Sequence, residues 1–83
     1  MIEKSMQIGM AGGMDARPIA MLVQLASKYE SSVYIEAVGK RVNAKSIMGM
    51  MGIGITTGDA VKLIVEGNDE EVAVKEIEEF LTA

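Results

Sequence analysis

The chain has no cysteine and no histidine among its 83 residues. Without cysteine there is no disulfide, no thiol nucleophile and no thiolate metal ligand, and the redox compartment leaves no trace in the sequence. Without histidine there is no imidazole acid–base catalysis, no imidazole metal ligand and no phosphohistidine. A metal site built from carboxylates alone would need a spacing such as that of the EF-hand loop, and none is present. The longest uncharged stretch, residues 46–58, is broken by four glycines and is too short to span a membrane. The opening Met1-Ile2-Glu3-Lys4 carries neither a basic start nor a following apolar segment, so the expectation is a cytoplasmic protein without a signal peptide. Basic residues are also in the minority, eight against twelve acids for a net charge of −4, which argues against direct nucleic-acid binding.

What is present suits one small domain over residues 1–83. A chain this short buries only about 60–65% of the surface it exposes when unfolded. The expected core is therefore thin, one sheet under one layer of helices. Apolar residues at 49% and charged residues at 24% are globular rather than disordered proportions.

Ile2, Met6 and Ile8 at even positions predict a strand over residues 2–8, interrupted once by Lys4. Three glycines in residues 9–13 predict a flexible connection. Asp15 is a good N-cap residue and Pro18 falls in a first helical turn. Ile19, Leu22, Val23, Ala26 and Tyr29 then form one apolar helical stripe, ending near Lys28. Val33, Ile35 and Ala37 alternate as a strand, Gly39 marks a tight turn, and residues 40–42 return as a second strand. Ser46 is placed to cap a short helix over residues 47–51, with Gly52 as its stop. Val61, Leu63 and Val65 give one face of a further strand. After the turn at Gly67-Asn68, Asn68 with Glu71 reads as a loose capping box, and Ala73, Ile77, Phe80 and Leu81 form the inner face of a final helix. The order is βαββαβα, an α+β two-layer arrangement.

Charge divides unevenly. Residues 66–83 hold seven acids and one base, which suits a solvated helix face, whereas residues 1–65 hold five acids and seven bases. The candidate sites lie in the second group. In Gly12-Gly13-Met14-Asp15-Ala16-Arg17-Pro18, glycines lead into a helix start with free amides and an arginine fork, the elements of an anion site. Asp15 puts a fixed negative charge there, and a plain N-cap is the simpler role. In Asn43-Ala44-Lys45-Ser46-Ile47-Met48-Gly49-Met50-Met51, Ser46 is either a plain N-cap or a phosphorylation switch, because a phosphate at that position meets the helix dipole and free amides. Met14, Met48, Met50 and Met51 serve equally as core fillers or as adaptable contact residues. Gly49, Gly52 and Gly54 follow neither the dinucleotide nor the Walker order, so turn and packing geometry is their reading.

Together these segments resemble HPr, the histidine-containing phosphocarrier of the bacterial sugar phosphotransferase system. Gly13-Met14-Asp15-Ala16-Arg17-Pro18-Ile19 is similar to the family's active-histidine motif, and Asn43 to Met51 to its regulatory-serine motif. The similarity continues through Gly58-Asp59-Ala60 and Gly67-Asn68-Asp69-Glu70 and spans essentially the whole chain. The resemblance implies a four-stranded antiparallel sheet of order 1-4-2-3 covered on one face by three helices, and a regulatory protein without enzymatic activity or cofactor.

Asp15 stands where the family carries its active histidine, while the serine motif is intact. The combination is similar in logic to the catabolite-repression HPr-like branch, which lacks the histidine and keeps the serine. It implies phosphorylation of Ser46 by HPr kinase/phosphorylase and binding of the phosphoserine form to a LacI-type catabolite-control repressor. Ile47, Met48 and Met51 then form the docking patch, with Ala16, Arg17 and Lys45 as neighbours of the phosphate, and a homodimer is within the family's habits. Two other readings stand beside this one: phosphoryl transfer through Asp15, and a docking module independent of phosphorylation.

Overall fold

In a computed structural model, which describes residues 1–9 and 15–83, seven elements follow the expected order. They are β1 (Ile2–Gln7), α1 (Ala16–Ser27), β2 (Ser32–Ala37), β3 (Lys40–Asn43), α2 (Ile47–Ile53), β4 (Ala60–Glu66) and α3 (Glu70–Thr82). The strands form one antiparallel sheet of order β1-β4-β2-β3, as expected. Of the connection read over residues 9–13, all but Gly9 lies outside the described residues, as do Gly12, Gly13 and Met14 of the first motif.

Alternation decides which sheet face is buried. Val33, Ile35 and Ala37 of β2 and Val61, Leu63 and Val65 of β4 join one core. The helices close it with Ile19, Leu22 and Ala26 from α1, Met50 and Ile53 from α2, and Ala73, Val74, Ile77 and Leu81 from α3. Helical spacing of these residues produces the three inner stripes.

The register also accounts for Lys4, the one break in the apolar pattern of β1. Lys4 pairs with Leu63 and so lies on the helix-covered face. Its ammonium reaches the edge and donates to Glu78 Oε1 of α3 at 2.7 Å. On the opposite face, Ile64 is buried although it stands outside the core cluster, in register with Glu3 and Tyr34.

Local expectations are corrected at three places. First, β1 ends at Gln7. Ile8 is buried beyond it, exchanging backbone bonds with Asp59 and Gly58, and Gly9 N donates to Leu81 O at 2.9 Å. A Cβ at Gly9 would lie 2.5 Å from the Thr82 carbonyl oxygen, so close backbone approach to the end of α3 sets this glycine. Second, α2 runs through Gly52 to Ile53 and stops at Gly54, whose φ of 73° is left-handed. Burial of Ile53 holds the last turn across Gly52.

Third, the capping box read at Asn68 and Glu71 is replaced by another arrangement. Asp69 is the N-cap of α3, yet its side chain makes no capping bond. Instead its carboxylate accepts from Glu30 N at 2.9 Å, from Ser31 N at 3.0 Å and from the Ser31 hydroxyl. This ties the start of α3 to the entry of β2. The three donors hold the Asp69 carboxyl below its ordinary range, the Ser31 hydroxyl contributing most. Glu70 instead reaches back, accepting from Gly67 N at 3.1 Å.

Candidate functional site

The site is built on α2 and the turn before it. Asn43 ends β3, and its side-chain oxygen accepts from Lys45 N at 2.8 Å while its carbonyl accepts from Ser46 N at 3.0 Å. These bonds shape an Asx-type turn that delivers Ser46 to the N-cap with extended backbone, φ −111° and ψ 115°. The Ser46 hydroxyl oxygen accepts from Gly49 N at 3.1 Å, and the Ser46 carbonyl accepts from Met50 N at 3.0 Å. Ser46 is half-buried at the edge of the helix, where the positive end of the dipole meets an added negative charge favourably.

Downstream of the serine, α2 divides sharply. Met50 and Ile53 point into the core, Met50 at 0% exposure. Ile47, Met48 and Met51 face outward at 48%, 87% and 54%. Positions 47, 48 and 51 share one helical face by their three- and four-residue spacing. Three exposed apolar side chains are thus grouped beside a hydroxyl. Concave surface is found at residues 36–41, between Leu25 and Phe80, and at residues 67–72. An exposed apolar helix face suits another protein rather than an enclosed small molecule.

Lys45 is turned toward α1. Its ammonium donates to the Tyr29 carbonyl at 2.8 Å, just past the end of that helix. The Tyr29 hydroxyl faces Glu76, whose carboxylate holds its proton and pushes Tyr29 up to about 12.

Asp15, Ala16 and Arg17 are exposed at the start of α1, which packs against α2. Asp15 occupies the N-cap position, and its carbonyl accepts from Ile19 N at 3.1 Å. Its carboxylate makes no capping bond, contrary to the plain-cap reading. With ψ at −168° it stands in extended backbone, and the carboxylate is left at the surface. Among the described residues Arg17 has no ion-pair partner.

Met21 is a surface residue that the sequence reading passed over. It is 50% exposed on α1. The signal was present, because Met21 falls outside the stripe of Ile19, Leu22, Val23 and Ala26 and lies four residues from Arg17, on the same helical face. Among the described residues no cluster of three or more carboxylates could hold a metal ion, and no helix is long and apolar enough to cross a membrane.

A family model described as the PTS HPr component phosphorylation site matches residues 2–83. The HPr-like protein Crh of Halalkalibacterium halodurans is 44% identical over 81 residues, covering 98% of this chain and 96% of that protein. HPr-C-His from Thermoanaerobacter tengcongensis superposes with a TM-score of 0.92 at 46% identity, over 98% of this chain and 91% of its own. A crystal structure of Crh from Bacillus subtilis, described as a swapped, intertwined dimer, matches with a TM-score of 0.78 at 40% identity, over 98% of this chain and 93% of its own. With the fold, the full-length match and the Crh relatives in agreement, the chain belongs to the HPr family of the phosphotransferase system, in its Crh branch.

Proposed function

We propose that this chain is an HPr-like regulatory protein of the phosphotransferase system and of carbon catabolite repression, switched by phosphorylation of Ser46. The observation that carries the proposal is the placement of Ser46 at the N-cap of α2 beside outward-facing Ile47, Met48 and Met51. HPr kinase/phosphorylase transfers the γ-phosphoryl group of ATP to the Ser46 oxygen, with loss of the hydroxyl proton and release of ADP. The product carries nearly two negative charges where the helix dipole and the first amides accept them. The helix stays intact, so the modification acts on the surface.

The phosphoserine form then docks on a LacI-type catabolite-control repressor. The apolar patch supplies affinity by burial, roughly 25 cal/mol per Å² before the costs of association. The phosphate adds charge-assisted bonds, each worth roughly 1.5–3 kcal/mol, to arginine or lysine of the partner. Arg17 and Lys45 form the basic surroundings of the site in this proposal. A homodimer is part of it, supported by the swapped dimer described for the Bacillus subtilis relative. Sedimentation velocity checks that part, and a single 8.9 kDa species at all concentrations overturns it.

In this reading Asp15 takes the position of the active histidine, and the chain carries no phosphoryl group for relay. A carboxylate at the helix start repels an incoming phosphodonor and cannot form a phosphoramidate. Incubation with kinase and ATP, followed by peptide mass spectrometry, tests the switch: one phosphate, stable in acid, on Ser46 is expected. A chain left unmodified overturns it. Labelling of Asp15 by enzyme I and phosphoenolpyruvate would instead establish an acyl-phosphate carrier. The exposed, uncapped Asp15 carboxylate is the observation that favours this second reading.

A further inference from the structure

The chain holds eight methionines and no cysteine, so thioethers are its only oxidisable sulfurs. Their accessibilities differ widely within a single helix. Met48 is 87% exposed and Met51 54%, while Met50, between them in sequence, is 0% exposed in the core. Oxidants meet sulfur at the surface, so exposure ranks these three side chains by reactivity.

We propose that Met48, with Met51 beside it on the same face, is a reversible oxidation site whose sulfoxide switches off docking by the Ser46-phosphorylated protein. The inference rests on the reading of Ile47, Met48 and Met51 as a docking patch. A hydroperoxide is the oxidant. The sulfur lone pair attacks the terminal peroxide oxygen, the O–O bond breaks and an S–O bond forms. Sulfur loses two electrons, and hydrogen peroxide is reduced to water. The reverse step needs an external dithiol, which is oxidised to a disulfide as the oxygen leaves as water, through a methionine sulfoxide reductase.

The consequence follows from what the patch must do. A thioether sheds water at little cost and adapts its shape to a partner. A sulfoxide is a strong hydrogen-bond acceptor, and burying it without a donor is costly. Met48 stands two residues from Ser46, so its sulfoxide lies within the surface that phosphorylation is meant to activate. Met50 of the core does not share this sensitivity, because it is shielded. The patch thus reads two signals of opposite sign, a phosphate that turns docking on and an oxygen atom that turns it off.

The test uses the full chain phosphorylated on Ser46, graded hydrogen peroxide and a purified LacI-type catabolite-control repressor. Tandem mass spectrometry of the tryptic peptide spanning residues 46–62 locates the oxygen among Met48, Met50 and Met51. Met48 sulfoxide is expected to form about tenfold or more faster than Met50 sulfoxide. Repressor affinity is expected to fall about tenfold, equivalent to about 1.4 kcal/mol, with circular dichroism unchanged and affinity restored by the reductase with dithiothreitol. The Met48→Leu/Met51→Leu variant, whatever its starting affinity, should lose less than about twofold on the same treatment. Equal oxidation of Met50, full affinity with Met48 stoichiometrically oxidised, or an equal loss in the double variant each overturns the inference alone. Failure of the unoxidised phosphoprotein to bind overturns the docking reading and the inference together.

Discussion

The Lys45 ammonium donates to the Tyr29 carbonyl at 2.8 Å, so the cation next to Ser46 in sequence serves as a strut between the N-cap of α2 and the end of α1. Tyr29 lies past the last turn of α1, where carbonyls lack helical partners. Lys45→Met keeps the aliphatic stem and removes the donor. The expected loss is about 1 kcal/mol of stability, read from urea denaturation at neutral pH. An unchanged midpoint would show that water replaces the ammonium at no cost.

Ser46 carries a structural duty besides its proposed regulatory one. Its hydroxyl oxygen accepts from Gly49 N at 3.1 Å, so Ser46→Ala removes an N-cap as well as a phosphorylation site. The expected cost is about 1 kcal/mol. For a domain of this size that lowers Tm by roughly 4–8 °C. Ser46→Asp retains a capping acceptor and a favourable charge at the helix start and should melt within about 2 °C of the wild type. Scanning calorimetry on the three proteins decides it, and a Tm for Ser46→Ala equal to that of the wild type contradicts the capping role.

The Asp69 tether predicts a pH dependence. Its folded-state carboxyl titrates below the ordinary value because Ser31 and Glu30 donate to the ionised form. A group depressed on folding adds stability above its unfolded pKa of about 3.9, and that stability is lost as pH falls through the lower folded value. Urea midpoints should therefore fall below about pH 4. In Asp69→Asn the amide group faces donors, so this variant should be less stable at pH 7 and flatter with pH below 4. Parallel acid branches for the two proteins would exclude Asp69 as the group responsible.

How far the sequence leads can be traced residue by residue. The order βαββαβα was legible because Val33, Ile35 and Ala37 alternate, as do Val61, Leu63 and Val65, and because the residues lining α1 repeat at helical spacing. Both patterns are local and need no knowledge of the neighbours. The outward set Ile47, Met48 and Met51 was legible from the resemblance, and the structure leaves all three exposed. The partners of Asp69 were not legible, because Ser31 is 38 residues away and local grammar offers Asn68 as the cap. The same holds for Lys45 and Tyr29, joined across 16 residues through a backbone oxygen that no motif marks. Gly52 looked like a helix stop because its own propensity was visible and the burial of Ile53 was not.

The two glycines of that region predict opposite responses. Gly52 is inside α2, and a Cβ there would meet nothing within 4 Å. Gly52→Ala should stabilise the protein by roughly 0.5–1 kcal/mol, since alanine loses less backbone freedom on folding. Gly54 also has open space, but its φ of 73° is left-handed. Gly54→Ala should destabilise by about 1 kcal/mol, because the Cβ is strained in that conformation. Chemical denaturation of both variants gives the signs directly, and equal signs would refute the assignment of Gly54 as the helix stop.

The β2–β3 hairpin turns through Val38 and Gly39, with φ of 53° and 74°, between the paired residues Ala37 and Lys40. Two positive φ values are the pattern of a type I′ turn, which favours Asn-Gly. Glycine meets the requirement at the second position. Valine at the first is β-branched, and the left-handed conformation costs an L-residue roughly 1–2 kcal/mol. Its side chain recovers little by packing, since Val38 is 73% exposed. Val38→Asn should therefore raise stability by about 1 kcal/mol and Tm by roughly 4–8 °C, because asparagine tolerates this backbone and hydrogen-bonds locally. Val38→Ile, which keeps the branch, should leave Tm within about 2 °C. A calorimetric Tm for Val38→Asn at or below that of the wild type would mean that the valine is held in this turn by contacts stronger than its exposure suggests.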